Sequence, residues 1–162
     1  MVAVLAHALS VIGRDVFGKD MDPDRAASAA LFHDCAEIMT GDMPTPVKYY
    51  NAEIRTAYQQ VEDTALERLL RTLPADIQPE YDQLLHFEQD QKLYRIVKAA
   101  DTLSAYIKCE EERKTGNREF DRAAAQTREK LENLHMPEVD YFLEHFMPSF
   151  QMTLDELNMG EN

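Results

Sequence analysis

The chain has 162 residues, 44% hydrophobic and 29% charged, which is the size and balance of one globular domain with no apolar run near the ~20 residues of a membrane span. Its 30 acidic and 17 basic residues leave a net charge of -13. That charge excludes binding to long nucleic acids through their phosphates and docking on an anionic membrane surface. It leaves room for a small phosphorylated substrate, because one metal ion reverses the sign of charge locally. Two cysteines, Cys35 and Cys109, make no disulfide scaffold. The start lacks a basic n-region and a small-residue cleavage site, so no signal peptide is expected. The expected compartment is the reducing cytoplasm.

Five glycines and seven prolines leave long uninterrupted stretches, which favour helices. Residues 2–14 predict a first helix, with Val4, Leu5, Ala8, Leu9 and Ile12 at helical spacing. Asp22-Pro23 is a strong helix start, since Asp caps free amides and Pro fits the first turn. That second helix is expected to run through the apolar residues 26–32 to about Met39 as a buried element, with Gly41 stopping it. Pro44 and Pro46 brace the loop that follows.

Residues 52–73 predict a long amphipathic helix striped by Ile54, Tyr58, Val61, Ala65 and Leu69, closed by Pro74. A shorter helix is expected over 78–86. Residues 91–113 hold the clearest pattern, with Leu93, Ile96, Val97, Ala100, Leu103, Ser104 and Ile107 on one face. Helices near 118–134, 137–146 and 153–157 complete the series. No segment alternates with period two. The expected class is all-α, with roughly six to eight helices.

The sharpest chemical feature is His33-Asp34 followed by Glu37. On one continuous helix, 33 and 37 would share a face, as would 34 and 37. Acids are rarely buried without a partner or a metal. Imidazole and carboxylate are ligands for a divalent ion. A solvated helix end carrying ordinary polar groups explains the same spacing, and the pattern leaves both readings open.

Asp101 sits beside the apolar stripe of its helix. It is either a ligand or a boundary residue, and on pattern alone the boundary reading is preferred. Asp42 lies in the proline-braced loop, a good place for a substrate-reading acid, though Gly-Asp is also ordinary turn chemistry. His7 reads as a core histidine. Cys35 reads as a small packing residue. Tyr49-Tyr50 and Tyr141-Phe142 read as helix-packing aromatics. No Walker loop, GxGxxG or GxSxG is present.

Three strings are more specific than the bare His-Asp pair. They are LFHDCAEIMTGDMPTPVKY over 31–49, VKAADTLSAYIKCEE over 97–111 and DYFLEHFMPSF over 140–150. In that order they resemble the bacterial 5'-deoxynucleotidase branch of the HD-domain phosphohydrolases, over essentially the whole chain. The resemblance implies an HD-domain helical bundle formed by residues 1–162 as a single domain. It implies removal of phosphate from deoxyribonucleoside 5'-monophosphates with a divalent metal ion, whether cobalt, manganese, zinc or iron.

Carried over residue by residue, His33, Asp34 and Asp101 would be metal ligands, and Asp34 would also face substrate. Glu37 would be the catalytic acid/base. Asp42 would contact the deoxyribose, with Met43, Pro44 and Thr45 on the same wall. A homodimer is expected, with neither a nucleic-acid polymer nor a membrane as partner. The family's first metal-ligand His precedes the Val-Ala that here follows Met1, and His7 is not its equivalent. The domain is therefore expected to be N-terminally truncated relative to the family, to bind metal weakly and to turn over little. Two other readings remain: an HD phosphohydrolase for another small phosphate ester, or a non-catalytic helical dimer module.

Overall fold

The chain opens on α1 (Val2–Val11), whose Leu5, Ala6, Leu9 and Ser10 turn inward at helical spacing. It widens into a π-turn at Ile12–Val16, where the Phe17 amide donates to the Ile12 carbonyl at 3.3 Å. Gly13 makes room for that turn. A Cβ there would collide with Met21 Sδ and stand 3.1 Å from Glu138 Oε1. Gly13→Ala is therefore expected to destabilise the fold by about 1–3 kcal/mol, the usual cost of overpacking. A lowered urea midpoint would register it, and an unchanged midpoint would show that Met21 swings aside freely.

The computed structural model describes residues 1–48, 50–153 and 156, with the backbone only at 45. Among them it has ten α-helices and no strand. Seven of these helices have eight or more residues, in keeping with the pattern-based expectation. The others span four or five residues, too few to show periodicity. Of the expected helix over 153–157 only Thr153 and Glu156 are described: Glu156 is helical, and its carboxylate accepts from the Thr153 amide at 2.7 Å. Two compact units emerge, one formed by Met1–Ala30 with the chain from Lys92 onward, the other by Leu31–Gln91.

In the first unit α2 (Pro23–Leu31) starts where expected, with Asp22 Oδ1 accepting from the Arg25 amide at 3.0 Å. The long α7 is Gln91–Lys114, and every residue of its expected stripe is buried. A 3₁₀ turn at Arg118–Phe120 leads into α8 (Asp121–Glu132), and α9 (Pro137–His145) and α10 (Met147–Gln151) follow. Val139, Phe142 and Leu143 bury one face of α9. Phe142 stacks on Phe146 with ring centres 5.0 Å apart.

Glu138, in the first turn of α9, is fully buried. Its Oε1 accepts from Lys19 Nζ at 2.5 Å, and its Oε2 has no hydrogen-bond partner among the described residues.

The second unit holds α3 (Glu37–Thr40), α4 (Thr45–Lys48), α5 (Ala52–Arg71) and α6 (Gln78–Leu85), then a 3₁₀ turn at Phe87–Gln89. Asn51 caps α5, its side-chain oxygen accepting from the Ile54 amide at 2.8 Å. The α5 stripe is only partly buried: Tyr58 and Ala65 are inside, while Val61 is 52% exposed. Within its unit α5 packs on the short α3, α4 and α6, so a narrow strip of its apolar face is covered.

The expected continuous helix from 22 to 39 is corrected. α2 ends at Leu31, which is 70% exposed, and residues 32–36 form turns before α3 begins. Three-residue bonds replace four-residue ones: Cys35 N to Phe32 O at 3.0 Å, Glu37 N to Asp34 O at 2.9 Å, and Ile38 N to Cys35 O at 3.2 Å. Here the chain leaves one unit for the other.

Candidate active site around His33 and Glu37

The turns at 32–36 hold His33 and Asp34, and α3 starts at Glu37. These residues therefore do not share the face of one uninterrupted helix. They are still neighbours. His33 Nε2 lies 2.9 Å from Asp34 Oδ2, with the imidazole 14% and the carboxylate 55% exposed. A mostly covered ring beside an accessible carboxylate is a two-donor set of the chemistry divalent transition metals prefer.

Glu37 is half-buried. Burial pushes its carboxyl above the usual carboxylate range, and the negative charges of Asp34 and Asp42 push the same way. Lys48 opposes them and Glu62 adds to them. A carboxyl with a raised proton affinity in a cluster of like charges is poised for acid–base chemistry.

Gly41 ends α3 at φ 72°, a left-handed backbone that glycine adopts without strain, and turns the chain into the loop 41–44. Asp42 and Pro44 are exposed and Met43 is half-buried. Thr45 opens α4, and its side chain lies outside the described residues. The Pro44 carbonyl accepts from the Val47 and Lys48 amides at 2.8 and 3.1 Å, joining the loop to α4.

Asp101 is half-buried on α7 and belongs to the other unit. Among the described residues no three His, Cys, Asp or Glu side chains cluster as a metal site. Within their own unit His33 and Asp34 lie together.

His7 does not behave as a core histidine. It is 47% exposed, and its Nε2 lies 3.7 Å from Asp24 Oδ1. On α1 the inward positions are 5, 6, 9 and 10, which leaves 7 facing outward. Cys35 and Cys109 are both free. Burial pushes both thiols up, and neighbouring acids add to the shift, so neither is an activated nucleophile.

Sequence reasoning passed over Lys48, Tyr58 and Glu62, which surround the Glu37 loop from α4 and α5. Lys48 Nζ lies 2.7 Å from Glu62 Oε1 and 4.8 Å from the centre of the Tyr58 ring. The spacing of Tyr58 and Glu62, four apart on one helix, was the available signal. In the sequence Tyr58 counts toward the apolar stripe of its helix, and Glu62 lies outside that stripe.

The family model for 5'-deoxynucleotidase YfbR-like proteins matches residues 1–150. A 5'-deoxynucleotidase of Shewanella oneidensis is 45% identical over 158 residues, covering 97% of this chain and 81% of the relative. One from Pectobacterium atrosepticum is 44% identical, with 97% and 79% covered. One from Vibrio parahaemolyticus is 43% identical, with 97% and 81% covered. Helical architecture, the clustered acids at His33–Glu37 and these matches along nearly the whole chain agree: the chain belongs to the YfbR-like 5'-deoxynucleotidase family.

Proposed function

We propose that this chain is a phosphomonoesterase that removes the 5'-phosphate from deoxyribonucleoside 5'-monophosphates. The observation that carries the reading is the family match over residues 1–150, in a chain whose His33–Asp34 pair lies close in sequence to the half-buried Glu37 and the Asp42 loop. The reading takes the protein as a homodimer in the bacterial cytoplasm and residues 1–162 as one HD domain.

A divalent ion belongs to the proposal, with His33, Asp34 and Asp101 as ligands. The imidazole and carboxylate of the first two suit cobalt, manganese, zinc or iron. The like charges of Asp34 and Asp42 acting on Glu37 form a negative field that a cation relieves. The assignment of Asp101 rests on the sequence resemblance. When bound, such an ion supplies Lewis-acid stabilisation to the phosphoryl oxygens.

This chain's own residues do the rest. Glu37, in its ionised form, accepts the proton of the attacking water at a carboxylate oxygen and can return it to the departing 5'-oxygen. Asp42 faces the sugar and disfavours a 2'-hydroxyl, by crowding it or leaving it badly paired. Met43, Pro44 and Thr45 continue that wall.

The test is phosphate release from dAMP and AMP with added cobalt or manganese, repeated after chelation. Release from dAMP well above AMP, lost on chelation and regained with metal, is the expected result. Equal rates on both would move the reading to a broader phosphate-ester hydrolase. No release with any of the metals would leave a helical dimer module.

A further inference from the structure

We propose that Tyr58 and Glu62 of α5 are positioning residues that clamp the segment from Gly41 to Lys48 at both ends and so set how sharply the protein selects deoxyribose. The proposal rests on the deoxynucleotidase reading above and adds to it which residues hold the sugar-facing loop in register.

Pro44 and Pro46 fix their own backbone φ but do not by themselves anchor the segment to a neighbouring element. Residues 41–44 have no regular structure, and α4 is four residues long, far below the length at which a helix sustains itself. Gly41 adds freedom at the entrance, because its backbone is left-handed and nothing lies within 4 Å of where a Cβ would stand. Something outside the segment has to define the position of Asp42.

α5 supplies two attachments from one face. Tyr58 is buried, and its hydroxyl donates to the Gly41 carbonyl at 3.0 Å, with Thr40 Oγ1 at 3.3 Å. A buried tyrosine requires a partner for its hydroxyl, and this one takes the peptide that joins Gly41 to Asp42. One turn along, Glu62 accepts from Lys48 Nζ at 2.7 Å, and both side chains are largely covered. The same ammonium lies 4.8 Å from the centre of the Tyr58 ring. Tyr58 thus holds the entrance of the segment and braces the cation that holds its exit. Their spacing of four residues puts both on the same side of a 20-residue helix capped by Asn51.

Tyr58→Phe and Glu62→Met roughly keep side-chain size and remove one attachment each, since neither replacement offers a group for that hydrogen bond. Two readouts are needed. In the ligand-free protein, amide exchange is followed at Gly41, whose amide is bonded to the Glu37 carbonyl, and at Val47 and Lys48, bonded to Pro44. In the metal-loaded protein, KM and kcat are measured for dAMP and AMP.

Both variants are expected to exchange faster at these amides. In both, KM for dAMP should rise about five- to tenfold, the effect of one lost hydrogen bond. The preference for dAMP over AMP should fall, and kcat should drop less than KM rises. Unchanged exchange with an unchanged dAMP preference overturns the clamp. So does loss of protection spread evenly along α5 with a lowered Tm, which would mark a merely structural role. If the wild-type protein releases no phosphate from dAMP, the deoxynucleotidase reading fails on its own, and the exchange rates alone then decide whether the two residues hold the segment.

Discussion

Glu37→Gln is expected to lower turnover of dAMP by about 10²- to 10⁴-fold, the usual contribution of a positioned general base. The loss should fall on kcat rather than on folding. Glu37 lies at the start of a four-residue helix and is only half-buried, and glutamine fills nearly the same volume. Wild-type turnover in this variant would remove Glu37 from the mechanism.

The same substitution has a pH signature in the metal-free protein. Burial and the charges of Asp34 and Asp42 raise the Glu37 carboxyl in the folded state. A raised carboxyl contributes stability that is fully present below its unfolded pKa and lost as pH rises through its folded pKa. Glutamine carries no such penalty. Near neutral pH the Glu37→Gln protein should melt at or above the wild-type temperature, and the difference should vanish on acidification below the ordinary carboxylate range. Lys48 acts in the opposite sense, drawing the carboxyl down. Lys48→Met should therefore raise the Glu37 pKa further, which a titration followed by NMR reads directly. A fall in that pKa would contradict the electrostatic account.

Lys19→Met is expected to cost about 3 kcal/mol of stability, the low end for breaking a buried ion pair by removing one partner. Glu138 has no exposed surface, and Lys19 Nζ stands 2.5 Å from its Oε1. Without that cation a fully buried carboxyl group loses the partner of one oxygen, and the other already has none among the described residues. The low end applies because Lys19 is 40% exposed, so water screens part of the attraction. For a chain of this size that loss is a Tm decrease of roughly 6–12 °C. Lys19→Met with Glu138→Met should recover most of it, since an apolar pair of similar volume replaces a buried ion pair at little cost. A Tm within about 2 °C of wild type in the single variant would show that the pair is worth no more than a surface one.

These two sites differ in how far they could be read from the chain alone. His33, Asp34 and Glu37 stand out because polar, chemically active residues directly follow an alanine-rich apolar run. Asp42 follows from the prolines that brace its loop. The Lys19–Glu138 pair joins residues 119 positions apart, and no local pattern announces it. Glu138 in particular reads as an ordinary acid in the first turn of a helix, where the helix dipole favours it.

The helical class and the inner face of α7 are properties of local sequence. Apolar residues at three- and four-residue spacing bury one face, and Leu93 through Ile107 follow that rule without exception on the expected stripe. Helix starts at Asp22 and stops at Gly41 are equally local, because capping and left-handed backbone depend on one or two residues. The break at 32–36 is different. No glycine or proline marks it, and the chain changes from one compact unit to the other beside it. The outward turn of His7, the half-exposed Val61 and the clamp of Tyr58 and Glu62 on the Asp42 loop depend likewise on which elements pack against which. Periodicity determines that a face is apolar; only packing decides how much of it is covered, and which polar groups meet there.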